Sequence, residues 1–338
     1  MTNIFSITRQ ELEQYFINNN EKSFRATQIY EFLYKKRIHN IDNMNNIGKN
    51  IKELIKNDFD FSFIKLKLKQ VDTNVKKYLF ELHDGNLIES VLMYHDYGTS
   101  ICVSSQVGCN MGCAFCESGR LKKVRNLEAY EIVEQILLIE EDIKQRISHV
   151  VVMGIGEPFD NYENIKKFVK IINDPKGIDI GARHITISTC GIIPKIKDFT
   201  KDFNQVNLAI SLHAPNDTIR NKIMPISKVY KLQELIECIK EYTNITNRRV
   251  TFEYIMLENI NDSKENAIEL SNLIKNMNCY VNLIPYNETE NIEFKRTKKM
   301  KILEFYDILK KNNINVTIRK EFGSKVDAAC GQLRANQS

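Results

Sequence analysis

The 338-residue chain contains no tryptophan and no apolar run long enough to cross a bilayer. Its opening residues, MTNIFSITRQ, lack the layout of a signal peptide. A membrane span and a secretory leader are therefore not expected, and the chain reads as cytoplasmic. A disulfide framework is missing as well. Eight cysteines over this length, three of them clustered, read as reduced thiols with chemical roles. Charge of one sign does not dominate, because a net +5 permits nucleic-acid binding without demanding it. Without tryptophan, any stacking on a nucleobase falls to Tyr, Phe, His or Arg. What is present, 43% hydrophobic residues in a chain this long, suits one large α/β-barrel domain, or a barrel plus a small appendage.

The densest chemistry lies in Cys109-Asn110-Met111-Gly112-Cys113-Ala114-Phe115-Cys116, a CxxxCxxC loop. Soft thiolates at this density hold iron–sulfur clusters or zinc in a reduced compartment. Electron-transfer clusters mostly use four protein thiolates, and the local run supplies three. One iron would then stay open to a small molecule. The spacing, with an aromatic before the last cysteine, resembles the loop of radical S-adenosylmethionine (radical SAM) enzymes. A zinc knuckle that recruits a distant Cys or His is the competing reading.

Residues 1–75 read as a helical accessory domain and 76–338 as the main domain. Thr8 and Glu11 form a capping box, with Ile7 and Leu12 as its staple. Further helices are expected over Ala26–Lys36 and around Ile51, Leu54 and Ile55. A solvated surface and an RNA-touching face are both open for this domain. A hairpin follows: Tyr78–Leu82, the turn Asp84-Gly85, then Leu87–Met93. After the cysteine loop, strands expected at Val150–Met153, His184–Ser188, Val206–Leu212, Val250–Met256, Val281–Ile284 and Val316–Arg319 alternate with amphipathic helices. Such alternation argues for parallel βαβ units, and the count fits a partial (β/α)6 barrel. Ligands in such barrels sit at the carboxyl ends of the strands.

Polar groups gather at those ends. Gly154-Ile155-Gly156-Glu157-Pro158 ends one strand, where glycines allow close backbone approach and a carboxylate can receive an ammonium group. Ser188-Thr189, Ser211-Leu212-His213 and Asn287 end three others. Singly these are turn and capping residues; together they form a ring suited to a zwitterionic nucleoside. Cys102 falls in the first barrel strand, and Cys330 in a glycine-flanked loop near the C-terminus. Cys238 and Cys279 read as core, and Cys190 is left open.

Several segments resemble one family together, the RlmN/Cfr group of radical SAM adenosine methyltransferases. They are CVSSQVGC (102–109), the cysteine loop, GIGEP (154–158), SLHAPND (211–217), VTFEYIML (250–257), NLIPYN (282–287) and DAACGQL (327–333), in family order. The resemblance implies that Cys109, Cys113 and Cys116 hold a 4Fe–4S cluster that binds SAM. Two SAM would be used per turnover, one to methylate Cys330 and one to generate a radical on that methyl group. It further implies Glu89, thirteen residues before Cys102, as general base, and Cys102 as the thiol that attacks Cys330 and frees the product. Gly156, Glu157, Ser188, Ser211, Leu212, His213 and Asn287 match family SAM contacts. Glu89 alone would read as an outward strand residue, and only its register to Cys102 nominates it.

The implied substrate is carbon 2 of an adenosine in the peptidyl-transferase centre of 23S rRNA, with the adenosine 3′ of the anticodon in tRNA as a second one. The implied electron donor is a one-electron protein such as flavodoxin. Adenine splayed from its stack favours loops over duplex. The basic runs Lys295-Arg296-Thr297-Lys298-Lys299, Lys310-Lys311 and Arg319-Lys320 suit phosphate or plain solvent. Pro158, Ala214–Asp217 and Pro285 resemble RlmN more than Cfr. Glu117-Ser118-Gly119, Cys190 and Asn287–Glu290 depart from the usual pattern. The alternatives are a Cfr-type carbon-8 methyltransferase conferring antibiotic resistance, a glycyl-radical activase and a zinc-stabilised RNA-binding module.

Overall fold

The computed structural model describes residues 1–319, 332 and 333. Cys330 lies outside the described residues. Near the N-terminus, helix α1 (Arg9–Asn18) starts at the expected capping box: the Thr8 hydroxyl accepts from the Glu11 amide at 3.2 Å, and the Thr8 amide donates to the Glu11 carboxylate at 2.8 Å. Helix α2 (Phe24–Tyr30) runs on into a π-helical turn over Glu31–Lys35, and α3 spans Lys49–Asp58. Ile51 and Ile55, one turn apart, are the residues α3 buries.

A ten-stranded sheet follows. Its strands are β1 (Lys65–Asp72), β2 (Val75–Glu81), β3 (Leu87–His95), β4 (Gly98–Val103), β5 (His149–Val152), β6 (Ile185–Thr189), β7 (Asn207–Ser211), β8 (Val250–Met256), β9 (Cys279–Pro285) and β10 (Val316–Ile318). Spatial order is chain order from β10 to β1. The first four strands form an antiparallel meander, and β4 to β10 are all parallel. Helices cross over between each parallel pair: α4 (Ala129–Ile143), α5 (Tyr162–Asn173), α6 (Ile193–Asp202), α7 (Asp217–Ile223) with α8 (Leu232–Thr246), α9 (Lys264–Leu273) and α10 (Lys299–Lys311). Six crossovers and a seventh parallel strand make an open, partial (β/α)6 barrel, as the alternation predicts. Strand β1 was not foreseen. Its alternating KLKLKQVD pattern leaves Leu66 and Leu68 exposed, so it carries no buried stripe to announce it.

The N-terminal helices are not a detached body. Their apolar residues belong to one continuous core with the barrel, from Ile4 to Val316. Polar ties cross the junction: the Tyr130 amide donates to Ser6 Oγ at 3.0 Å, the Ile64 amide donates to Glu134 at 2.8 Å, and Arg9 pairs with Asp174 at 2.9 Å. Burial pushes the Glu134 carboxyl well above the usual range. No described helix is long and apolar enough to cross a membrane.

Candidate active site

A cavity opens at the carboxyl ends of the parallel strands. It is lined by Cys102 of β4, the three cysteines of the loop, Gly154, Gly156 and Glu157 after β5, Ser188 and Thr189 of β6, Ser211 and His213 at the end of β7, and Met93 and Val91 of β3. The cysteine loop is pinned by backbone bonds: the Cys109 amide donates to Leu121 O at 3.0 Å, Ala114 to Ile223 O at 2.9 Å, and Cys116 to Cys113 O at 3.1 Å. Phe115 stands edge-on to His213, ring centres 4.8 Å apart, which joins the loop to the end of β7.

Burial pushes the Cys109 thiol up to about 12 and Cys113 well above the ordinary thiol range. Bare thiols here are held protonated, and a bound metal's positive charge inverts that preference. Among the described residues, no three His, Cys, Asp or Glu side chains converge on a single-ion site. A cubane spreads its thiolates over three different irons, so three cysteines lining one cavity suit a cluster better than one zinc ion.

Glu157 is buried, and its two carboxylate oxygens are aimed by the backbone. Oε1 accepts from the Phe159 amide at 3.0 Å, and Oε2 from the Cys190 amide at 2.8 Å. Burial still raises its pKa. An arriving ammonium would restore the charged form and form a charge-assisted bond. Gly156 has φ +108°, and a Cβ there would lie 2.6 Å from Gln106 Cβ, so only glycine lets the backbone pass so close.

His213 is 5% exposed with left-handed φ +57°. Its Nδ1 accepts from the Ile255 amide at 3.0 Å, which places the ring proton on Nε2. Burial, and then the neighbouring Arg220 charge, hold its pKa down to about 3, so the ring is a neutral donor. Asn261 fixes the surrounding backbone: Nδ2 donates to His213 O and Ile255 O, both at 2.7 Å, and Oδ1 accepts from the Leu257 amide at 2.8 Å.

The remaining expected residues lie differently. Leu212 is fully buried in the core, and its amide donates to Glu253 O at 3.1 Å. Asn287 is half-buried beyond β9 and is not among the residues lining the cavity. Glu89 does not line the cavity either. It is 1% exposed, not outward, and shares the inner face of β3 with Val91 and Met93 because the three are spaced by two. Its carboxylate forms an ion pair with Lys77 on β2 at 2.7 Å. Among the described residues, no two cysteines are bonded to each other. Cys190, left open by the sequence, lines the cavity, whereas Cys238 and Cys279 are buried in the core, as expected. Lys295, in the longest basic run, pairs with Glu288 at 3.0 Å. Sequence reasoning missed Lys77, Asn261 and Arg220. The alternating pattern of β2 could have placed Lys77 inward, but nothing local marks the other two.

Residues 103–271 match the profile of the Radical SAM superfamily, and residues 2–60 that of the Ribosomal RNA large subunit methyltransferase N-terminal domain. A probable dual-specificity RNA methyltransferase RlmN of Spiroplasma citri is 51% identical over 339 residues, covering 99% of this chain and 98% of the relative. The chain belongs to the RlmN family of radical SAM RNA methyltransferases. An RlmN-family relative of Enterococcus faecalis is also 51% identical, covering 99% and 96%. The crystal structure of a radical SAM methyltransferase from Sphaerobacter thermophilus superposes with TM-score 0.93 at 37% identity, covering 99% of this chain and all of that one. Membership in this family implies a 4Fe–4S cluster and SAM. The three thiols, the Gly156 passage and the buried Glu157 carboxylate fit those groups.

Proposed function

We propose that this chain methylates carbon 2 of an adenosine in the peptidyl-transferase centre of 23S rRNA, and of the adenosine 3′ of the anticodon in tRNA, through a methylated Cys330. The observation that carries the proposal is the sharing of one cavity by Cys102, the three loop cysteines and Leu333. Leu333 follows Cys330 by three residues in sequence, and its carbonyl accepts from Ser118 Oγ, just beyond the cysteine loop, at 2.7 Å. The relatives' name, dual-specificity RNA methyltransferase, supports the pair of RNA substrates.

When bound, one SAM would supply the methyl group to the Cys330 sulfur by a two-electron displacement, and the cluster with a second SAM would supply the one-electron chemistry. The chain's own groups do the rest. Cys109, Cys113 and Cys116 hold the cluster. Glu157, the Gly156 backbone, Ser188, Ser211 and the Nε2–H of His213 orient SAM, with Asn287 and the Leu212 backbone beside them. Glu89, kept inward by Lys77, takes the proton from the adenine ring carbon. The Cys102 thiolate attacks the Cys330 sulfur: an S–S bond forms, the S–C bond to the product breaks, and its electron pair stays on the departing carbon, which takes a proton. A small one-electron donor of the flavodoxin type supplies the electron.

Anaerobic turnover with rRNA and tRNA fragments, followed by mass mapping, tests the proposal. Methylation at carbon 2 supports it, and a product methylated only at carbon 8 overturns the regiochemistry. Cys102→Ala should accumulate a covalent RNA–protein adduct; normal turnover by that variant removes the release step.

A further inference from the structure

Arg220, on α7, is the largest wholly enclosed side chain among the described residues, with 0% exposure. It does not line the cavity but lies behind it. Its Nε donates to Leu212 O at 3.1 Å, and Nη2 donates to Cys190 O at 2.7 Å and Ser211 O at 3.2 Å. One guanidinium thus ties together the carboxyl ends of β6 and β7, where four of the expected SAM contacts cluster. Its Nη1 is buried with no hydrogen-bond partner. Asp217, the acid that acts on it through space, is already committed to Ser227 Oγ at 3.1 Å and the Leu232 amide at 3.0 Å.

A guanidinium keeps its proton in proteins, so this is a permanent buried cation. Buried charges occur where an opposite charge compensates them. Carbonyl dipoles meet part of that need, and among the described residues no carboxylate pairs with Arg220. Cys190, whose carbonyl it holds, lines the same cavity as Cys113, and α7 meets the cysteine loop where the Ala114 amide donates to Ile223 O at 2.9 Å. Cys113 is one of the three loop cysteines. A cubane core with two positive charges on three thiolates is a monoanion, and accepting an electron makes it a dianion. A fixed cation stabilises the dianion more, and because the guanidinium is buried the interaction is less screened than one at the surface.

We infer that Arg220 is the built-in counter-charge of the three-thiol cluster, a positioning residue that makes the cluster easier to reduce. This rests on the cluster reading of Cys109, Cys113 and Cys116. The orphaned Nη1, the missing acid partner and the placement behind the cavity that the cysteine loop lines all follow from that one role. A clamp for carbonyls alone would leave Nη1 and the net charge without a purpose.

The test is a redox titration of the anaerobically reconstituted full-length protein, followed by the electron paramagnetic resonance of the reduced cluster, for wild type, Arg220→Met and Arg220→Lys. Iron and sulfide content is measured in parallel. Arg220→Met should lower the reduced-to-oxidised ratio at a fixed potential at least tenfold, about 59 mV for a one-electron couple. Arg220→Lys keeps the charge and loses the fork, so it should recover most of that shift. An unshifted Arg220→Met, or equal shifts in both variants, overturns the inference and leaves only the carbonyl clamp. If Arg220→Met fails to assemble, Arg220→Gln against Arg220→Lys decides by the same criterion. A wild-type protein that binds no iron and sulfide would defeat the cluster reading itself, a different result from a loaded wild type with unshifted variants.

Discussion

Replacing Asn261 by alanine should damage this protein out of proportion to the atoms removed. Its side chain makes three buried hydrogen bonds of 2.7, 2.7 and 2.8 Å, to His213 O, Ile255 O and the Leu257 amide. Each such bond is worth about 1 kcal/mol net, and stranding the two carbonyls and one amide without water adds a desolvation penalty. The expected loss is about 3–5 kcal/mol in urea unfolding. Two of those bonds also brace His213, a residue held at φ +57°, where a side chain is strained by about 1–2 kcal/mol. Releasing the brace lets the end of β7 relax, so SAM affinity of the folded variant should drop about tenfold, or 1.4 kcal/mol. Asn261→Asp keeps the acceptor but faces both carbonyls with a carboxylate oxygen, so it should be at least as damaging. The reasoning fails if Asn261→Ala loses less than about 1 kcal/mol and equilibrium dialysis shows wild-type SAM affinity.

Lys77→Met leaves the buried Glu89 charge without its 2.7 Å partner and should cost about 3–5 kcal/mol. Adding Glu89→Gln should restore most of that, and strictly additive losses in the unfolding data would show that the pair is not coupled. Gly156→Ala places a Cβ 2.6 Å from Gln106 at φ +108°, and should weaken SAM binding more than tenfold in a protein that still folds; unchanged affinity in a binding titration would contradict the close backbone passage. His213 has a folded pKa of about 3, below its ordinary 6.5, so the unfolded chain binds the extra proton first as pH falls. Its contribution is therefore fully present above about pH 6.5 and is lost at about 1.4 kcal/mol per unit as pH drops towards 3. His213→Asn should flatten the stability profile across that window, and an identical slope in both proteins would remove His213 as its source.

What could be read before the structure was whatever the chain writes locally. Three thiols within eight residues and glycines flanking a carboxylate carry their chemistry in their spacing, and β5 to β9 announce themselves by short apolar runs between helical patterns. The cavity brings most of these together. Asn261 and Arg220 were illegible because their partners are backbone atoms up to 48 residues away, and a carbonyl leaves no mark on the residue that owns it. Cys190 stayed open for a similar reason: its amide anchors Glu157, 33 residues earlier, so the backbone and not the thiol does the anchoring. Glu89 reads as outward until β2 and β3 are paired in register, which puts the lysine that neutralises it on the adjacent strand. Leu212 and Asn287 are not among the residues lining the cavity, and a motif names neighbours of a site without saying which of their atoms face it.

In the large sheet, spatial order repeats chain order without a single exchange. Every strand therefore pairs with the one made just before it, and no strand waits for a distant partner to be synthesised. A chain emerging from its N-terminus can extend the sheet by one edge at a time, keeping loop closure short at each addition. The loop that carries the three thiols lies between the fourth and fifth strands, whereas His213 follows the seventh and Asn261 the eighth. The three loop thiols are thus made well before His213 and Asn261, and an interval during growth would leave the nascent site open to metal delivery.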